Sequence, residues 1–218
     1  MNVHDQGADG FPHALTARAL LEAMEGVAYL TDRGGTILAV GLRGWVQFAA
    51  ENAVPWLTAD AVVGTSLFDA IHSDPVRDAY RRLHDAVASG RRTETVFEYR
   101  CDAPLAERHM HMAISAVRGE DGVIAVLYQS QMLAEVRRLP LPLLSAEHRV
   151  SLQRPAPPER IVTLCSFCQR VAWPPGVDPA RRRWISAAEF YRRGGPADAA
   201  VSDGICPPCM KRLVTPNV

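Results

Sequence analysis

Two short strings near the C-terminus, LCSFCQR (Leu164–Arg170) and GICPPCM (Gly204–Met210), each hold two cysteines separated by two residues. In a reducing compartment such pairs are more often metal-binding or redox-active than structural disulfides. Tetrahedral zinc takes four soft ligands at about 2.3 Å, and one CxxC turn supplies one edge of that tetrahedron. Two turns close the site, so Cys165, Cys168, Cys206 and Cys209 are the expected metal ligands. The module they define, a small four-cysteine unit like a zinc ribbon, is placed at 161–218. The insert between the pairs is long for such a site, but loop closure costs only about 0.6 kcal/mol per doubling of length. A bound ion would supply on the order of 10 kcal/mol or more of the module's folding energy, which a segment this short needs. Two other readings stay open. A thiol–disulfide switch ranks second. Four merely buried cysteines rank last, because the paired spacing would then be coincidence.

Within the insert, RRWISAAEFYRRG reads as a helix with Trp184, Ala188 and Tyr191 on one side. Pro207 and Pro208 remove two backbone donors that a thiol knuckle commonly uses. Arg181, Arg182, Arg183, Arg192 and Arg193 form a basic cluster. A nucleic-acid role through that cluster is the weaker reading: Lys plus Arg and Asp plus Glu are 24 each, and no base-reading helix is recognisable. The N-terminal stretch lacks the apolar core of a signal peptide, and no apolar run approaches the roughly 20 residues of a membrane span. The expectation is a cytoplasmic protein with no membrane partner.

The first 13 residues read as disordered, and His13–Gly26 as a helix with Leu20, Met24 and Val27 on its stripe. VAYLTD and GTILAVG read as a hairpin joined by the turn residues DRGG. RGWVQFAAEN is helical in pattern, and the segment from Val54 to Ala70 reads as short turns. SDPVRDAYRRLHDAVASG is the clearest helix, with a cap at Ser73 or Asp74, Pro75 in its first turn and Gly90 at its exit. Val76, Tyr80, Leu83 and Val87 make its apolar stripe, which leaves His84 at the edge or on the surface. Three strands follow, in TETVFEYRC, ERHMHMAISAV and DGVIAVLYQSQML. His109 and His111 share one strand face, read as solvated for want of a third ligand. Cys101 reads as a buried thiol. The fold class is therefore α+β, an antiparallel sheet with helices on one face. The proline-rich stretch 134–160 reads as a linker, partly packed through Leu139, Leu141, Leu143 and Leu144.

Residues 14–133 resemble a PAS domain. The likeness rests on the element order and on VAYLTDRGGTILAV, WVQFAAEN and VVGTSLFDAIHSDPVRDAY. It implies a five-stranded antiparallel sheet that, with its helices, can enclose a small unidentified ligand, and pairing into a homodimer. The aromatics available for that pocket are Trp45, Phe48, Phe68, Tyr80, Phe97 and Tyr99, although plain core leads for them. Haem is the lesser cofactor reading, since the family's ligating histidine would fall near Ala79 rather than at His84. The C-terminal strings CSFCQR, RWISAAEFY and SDGICPPC resemble a cysteine module of bacterial PAS and response-regulator proteins. Asp203 stands where that module has a histidine, a change that four thiolate ligands survive. The expected function is thus a bacterial signal-transduction sensor or adaptor, with a zinc-stabilised module that contacts another protein, such as a two-component partner. No nucleophile–base set or phosphate-cradling loop is found, so no enzyme is expected. The alternatives are a zinc-dependent transcription regulator using the arginine cluster and a thiol redox switch.

Overall fold

The computed structural model describes residues 16–52, 54–145, 148, 161–175, 177 and 181–214. The expected disorder at the N-terminus and most of the expected linker lie outside these residues. The first helix, α1 (Ala17–Ala23), is capped by the Thr16 hydroxyl, which accepts from the Ala19 N–H. It buries Leu21, whereas Leu20 is 54% exposed. The expected stripe is thus displaced by one residue.

Strands β1 (Val27–Thr31) and β2 (Ile37–Val40) form the foreseen hairpin. Its turn is built by Asp32, whose Oδ1 accepts from both the Gly34 and Thr36 N–H at 2.8 Å. These bonds hold the Asp32 carboxyl below its ordinary range against a raising contribution from partial desolvation. Gly35 takes φ +91° beside the Phe68 ring, where a Cβ would come within 2.3 Å of the ring edge. Only glycine fits on both counts.

Helix α2 (Leu42–Glu51) turns Trp45 and Ala49 inward and leaves Phe48 half-buried. A short α3 (Ala59–Val62) follows; Ile37, the first residue of β2, exchanges backbone bonds with Gly64 and Thr65, and the Leu67 N–H donates to the Gly35 carbonyl. The long helix α4 (Asp74–Ala88) buries Val76, Leu83 and Val87 as its periodicity dictates. Strands β3 (Glu94–Arg100), β4 (Ala106–Gly119) and β5 (Gly122–Arg137) complete a five-stranded sheet ordered β2-β1-β5-β4-β3, every pairing antiparallel. β5 runs past Leu133 to Arg137, and the next residue is pinned: Asp102, its side chain 1% exposed, binds the guanidinium groups of both Arg100 and Arg138.

The C-terminal unit is a second, four-stranded sheet ordered β8-β7-β6-β9. Its strands are β6 (Ile161–Cys165), β7 (Val171–Trp173), β8 (Arg183–Ile185) and β9 (Ala200–Gly204), with helix α5 (Ala187–Arg192) before β9 and helix α6 (Pro207–Val214) after it. The expected single helix over RRWISAAEFYRRG is in fact β8 followed by α5. Ser186 marks the break, because its Oγ accepts from the Glu189 N–H and starts the helix there. Phe190, not Ala188, faces the core. Leu143 and Leu144 are buried with Val162, Leu164, Val171 and Phe190, so these two leucines belong to this unit's core, while Leu139 is 86% exposed.

Candidate metal centre and its seat on the sheet

The geometry that gathers the thiols begins with strand direction. β6 and β9 are parallel neighbours in the register Cys165↔Gly204, so they end side by side. Each continues into a cysteine pair, and both pairs therefore emerge at one end of the sheet. The first turn is closed by Cys165 N–H to the Arg170 carbonyl (2.8 Å) and Gln169 N–H to the Cys165 carbonyl (2.9 Å). Gln169 adopts φ +58°, which reverses the chain inside this tight loop. The second pair opens α6. Pro207 and Pro208 occupy its first turn, where the lost N–H groups have no intrahelical partner to miss. The missing donors are replaced from elsewhere: the Cys206 N–H points at Cys165 Sγ, 3.4 Å away.

The Sγ atoms of Cys165, Cys168, Cys206 and Cys209 all lie within 4.8 Å of one another, and Cys168 and Cys206 Sγ are 3.7 Å apart. A regular tetrahedron with arms of about 2.3 Å has edges of about 3.8 Å. The donor set thus fits one divalent ion with thiolate preference. None of the five cysteines is disulfide-bonded. Crowding splits the four thiols. Cys165, crowded by the Cys168, Cys206 and Cys209 thiols, is pushed far below the usual thiol range. Cys168 and Cys209, chiefly through their bonds to Cys165, are pushed above it. Adjacent thiolates resist further ionisation, and a dication relieves that repulsion. Four thiolates around a dication would carry net charge −2; the Arg212 guanidinium, 3.9 Å from Cys209 Sγ, and the N-terminus of α6 are placed to offset it. Asp203 is exposed, accepts from the Ser166 hydroxyl, and is no member of the sulfur cluster.

The centre is not a free appendage. Cys165, Phe167, Cys206, Cys209 and Leu213 belong to the same apolar cluster as Val76, Leu83, Phe97, Ile114 and Tyr128. Phe167, between the first two cysteines, is 1% exposed. Its ring stacks on Tyr80 at 5.8 Å and meets Phe97 edge-on at 5.8 Å. The Arg100 N–H donates to the Phe167 carbonyl (2.9 Å), the Gln169 amide to the Arg100 carbonyl (3.3 Å), and Arg212 to the Glu98 carbonyl (3.1 Å). One half of the otherwise open edge of β3 is thereby occupied by the cysteine unit.

The six pocket aromatics separate into distinct contacts. Trp45 touches Phe48, Phe68 meets His84 edge-on, and Tyr80, Phe97 and Tyr99 cluster with Phe167. A cavity of about 860 Å³ includes only Phe97 of the six.

His84 differs most from its expected place. It is fully buried, not at the surface. Its Nε2–H donates to the Arg33 carbonyl (3.1 Å), since a carbonyl can only accept, and its Nδ1 accepts from the Tyr128 hydroxyl (2.9 Å). Both ring nitrogens are engaged, so His84 presents no lone pair to a haem iron. Burial and the neighbouring Tyr80 push the Tyr128 phenol up, which keeps it a donor. His109 is exposed beside Glu107, as a solvated sheet face requires, and Cys101 is half-buried, not fully enclosed. In the arginine cluster, Arg193 is paired with Glu189 and Arg182 donates to the Val177 carbonyl.

The N-terminal unit, with its antiparallel sheet and helices packed on one face, has a PAS-like fold. No family model matches the chain, and no curated protein matches it. Among solved structures it is similar to the PAS domain of BvgS from Bordetella pertussis, at 12% identity and a TM-score of 0.44, over 54% of this chain and 83% of that one. It is also similar to a sensory box sensor histidine kinase from Vibrio cholerae, at 11% identity and a TM-score of 0.37, over 53% and 87%. A third is the PAS domain of an HTR-like protein from Haloarcula marismortui, at 18% identity and a TM-score of 0.34, over 53% and 88%. Each likeness spans about half of this chain. No helix among the described residues is long and apolar enough to cross a membrane.

Proposed function

We propose that this chain is a signal-transduction sensor or adaptor in which a PAS-like domain is locked to a structural Zn²⁺ module held by Cys165, Cys168, Cys206 and Cys209. The observation that carries the reading is the convergence of the four thiols, within 4.8 Å, inside the same apolar cluster as the PAS-like core. When bound, the ion supplies a fixed cross-link between the two thiol turns and no redox or hydrolytic chemistry. The residues around it then have defined tasks. Phe167 and Leu213 plug the sheet-facing core, Arg212 balances charge, and the Cys206 N–H supports Cys165. The reading assigns no catalytic step. It places the protein in the cytoplasm, with a homodimer or a two-component protein as the signalling partner. A thiol switch is the second reading, favoured by the 3.7 Å approach of Cys168 and Cys206 Sγ.

The test is a mercurial titration of purified chain with a colorimetric zinc indicator present. The proposal expects about one zinc per chain, released only as the thiols of the tetrad are consumed. Absence of zinc, with Cys168 and Cys206 recovered as a disulfide from an oxidised preparation, would establish the switch instead.

A further inference from the structure

Arg77, Arg100, Arg108, Arg138 and Arg193 each meet a carboxylate. Arg82, Arg91 and Arg92 form no ion pair among the described residues, yet all three line one cavity of about 470 Å³ between the end of α4 and α6. Asp85 is the one acid among its lining residues, and Leu83 and Leu213 supply its apolar walls. The Ser89 hydroxyl accepts from Arg91 Nε (3.0 Å), which fixes that guanidinium and leaves its terminal nitrogens for a ligand. The carbonyl end of α4 offers about half a negative charge, so Asp85 and the helix together leave more than one positive charge uncompensated.

Arg91, Arg92, Leu83 and Leu213 also line the 860 Å³ cavity along β3, so the two spaces meet there. Strand alternation divides the larger one. Thr95 and Phe97 are buried, and Phe97 meets Tyr80 of α4, whereas Glu94 and Glu98 are exposed on the other face. His111 is the register partner of Glu98 and shares that outer face. Glu94 accepts from the Ser115 hydroxyl (3.0 Å), and Arg212 is engaged by the Glu98 carbonyl. The two glutamates therefore lie across the sheet edge from α4, and the α4 side holds the arginines over a floor of Leu83, Phe97 and Leu213. Thr95 lines the same cavity. It is 8% exposed, and its hydroxyl has no hydrogen-bond partner among the described residues. A buried hydroxyl left unpaired is costly; one that borders a cavity is placed to bond a ligand.

We propose that this junction of α4, β3 and α6 binds a small phosphate ester with an apolar body. Arg82, Arg91 and Arg92 take the phosphate. It carries about −1.5 to −2 at neutral pH, and its oxygens accept the paired N–H groups of guanidinium. A carboxylate would bring one charge and two oxygens. The body lies over Leu83 and Leu213 toward Phe97, where the Thr95 hydroxyl bonds it. The site is separate from the Tyr29–Tyr128 core and touches both units, because Leu213 belongs to α6. The inference goes beyond the sensor reading by naming a ligand class, and no step of it passes through the metal ion.

The experiment is calorimetric titration of the full, zinc-loaded chain with 4-nitrophenyl phosphate in phosphate-free buffer at neutral pH, with methyl resonances of Leu83 and Leu213 followed in parallel. Saturable binding that shifts both leucines is expected. Inorganic phosphate, which lacks the body, and 4-nitrobenzoate, which lacks the second charge, should each bind at least tenfold more weakly. Arg82→Gln with Arg92→Gln should weaken the ester at least tenfold at unchanged zinc content, while Arg193→Gln should change it less than twofold. Thr95→Val should weaken it at least threefold without lowering the melting temperature. Equal affinity for the ester and inorganic phosphate, or shifts at Tyr29 and Tyr128 with none at Leu83 and Leu213, would overturn the site. Tighter binding of acetyl-Ala-Ala-phosphotyrosine-Ala-Ala-amide than of the ester would make a phosphorylated protein the source and overturn the small-molecule assignment. A folded, zinc-loaded chain that binds no ester would sink this inference and leave the metal reading intact; ester binding by a chain that takes up no zinc would do the reverse.

Discussion

Replacing Phe167 with alanine separates a docked module from an independent one. The ring is buried between Tyr80 and Phe97, at 5.8 Å from each. Emptying such a site costs about 3–5 kcal/mol, including the cavity left behind. The upper half of that range is expected here, because two aromatic contacts are lost and each pair adds about 0.5–1.5 kcal/mol beyond area. In a chain of this size 1 kcal/mol moves the melting temperature by about 2–4 °C, so a fall of about 8–20 °C is expected. The assay is thermal unfolding followed by the aromatic proton resonances of Tyr29, Trp45 and Tyr128 of the PAS-like core, with zinc release measured in the same sample. Phe167 touches that core directly, so both transitions should fall together. If zinc release moved and the aromatic signal did not, the cysteine unit would not share the sheet's core, and the reasoning from the common apolar cluster would be refuted.

Two further outcomes follow from particular contacts. His84→Ala strands the buried Tyr128 hydroxyl, at a cost of about 1–3 kcal/mol, and removes the donor to the Arg33 carbonyl; His84→Gln, able to donate and accept, should recover part of the loss in a urea melt. Tyr99, raised to about 12 from 10.0 chiefly by burial despite its bond from Ser130, stays protonated in the fold where the unfolded chain ionises. Its contribution is thus full below pH 10 and lost as pH climbs toward 12, roughly 3 kcal/mol in all. Tyr99→Phe should flatten that part of a stability–pH curve measured by denaturant midpoints, and an unchanged slope would contradict it.

The parts of this structure legible in the sequence are those fixed by local chemistry. The α4 stripe follows from its 3.6-residue period, the β1–β2 hairpin from Asp32 and two glycines, and the candidate ligands from two CxxC strings. What escaped depends on distant partners. His84 sits beside the stripe in sequence; it is buried because Arg33 and Tyr128, 51 and 44 residues away, offer an acceptor and a donor. The parallel pairing of β6 with β9 is invisible to periodicity, yet it brings the thiol turns together. Two local signals did exist. Ser186 and Glu189 have the spacing of a capping box, which fixes where the helix after Trp184 begins. Phe167 inside the first thiol turn is an aromatic that a solvent-exposed knuckle would leave bare, and its need for burial pointed to the sheet.

The central claim is that one ion, held by sulfur alone, welds the C-terminal unit to the PAS-like core. X-ray absorption at the zinc edge of the purified chain tests it most directly. The account predicts four sulfur neighbours at about 2.3 Å, reduced to three plus a lighter atom in Cys168→Ser. A lighter ligand in the unsubstituted protein, or a zinc-free chain with its thiols intact, would contradict it.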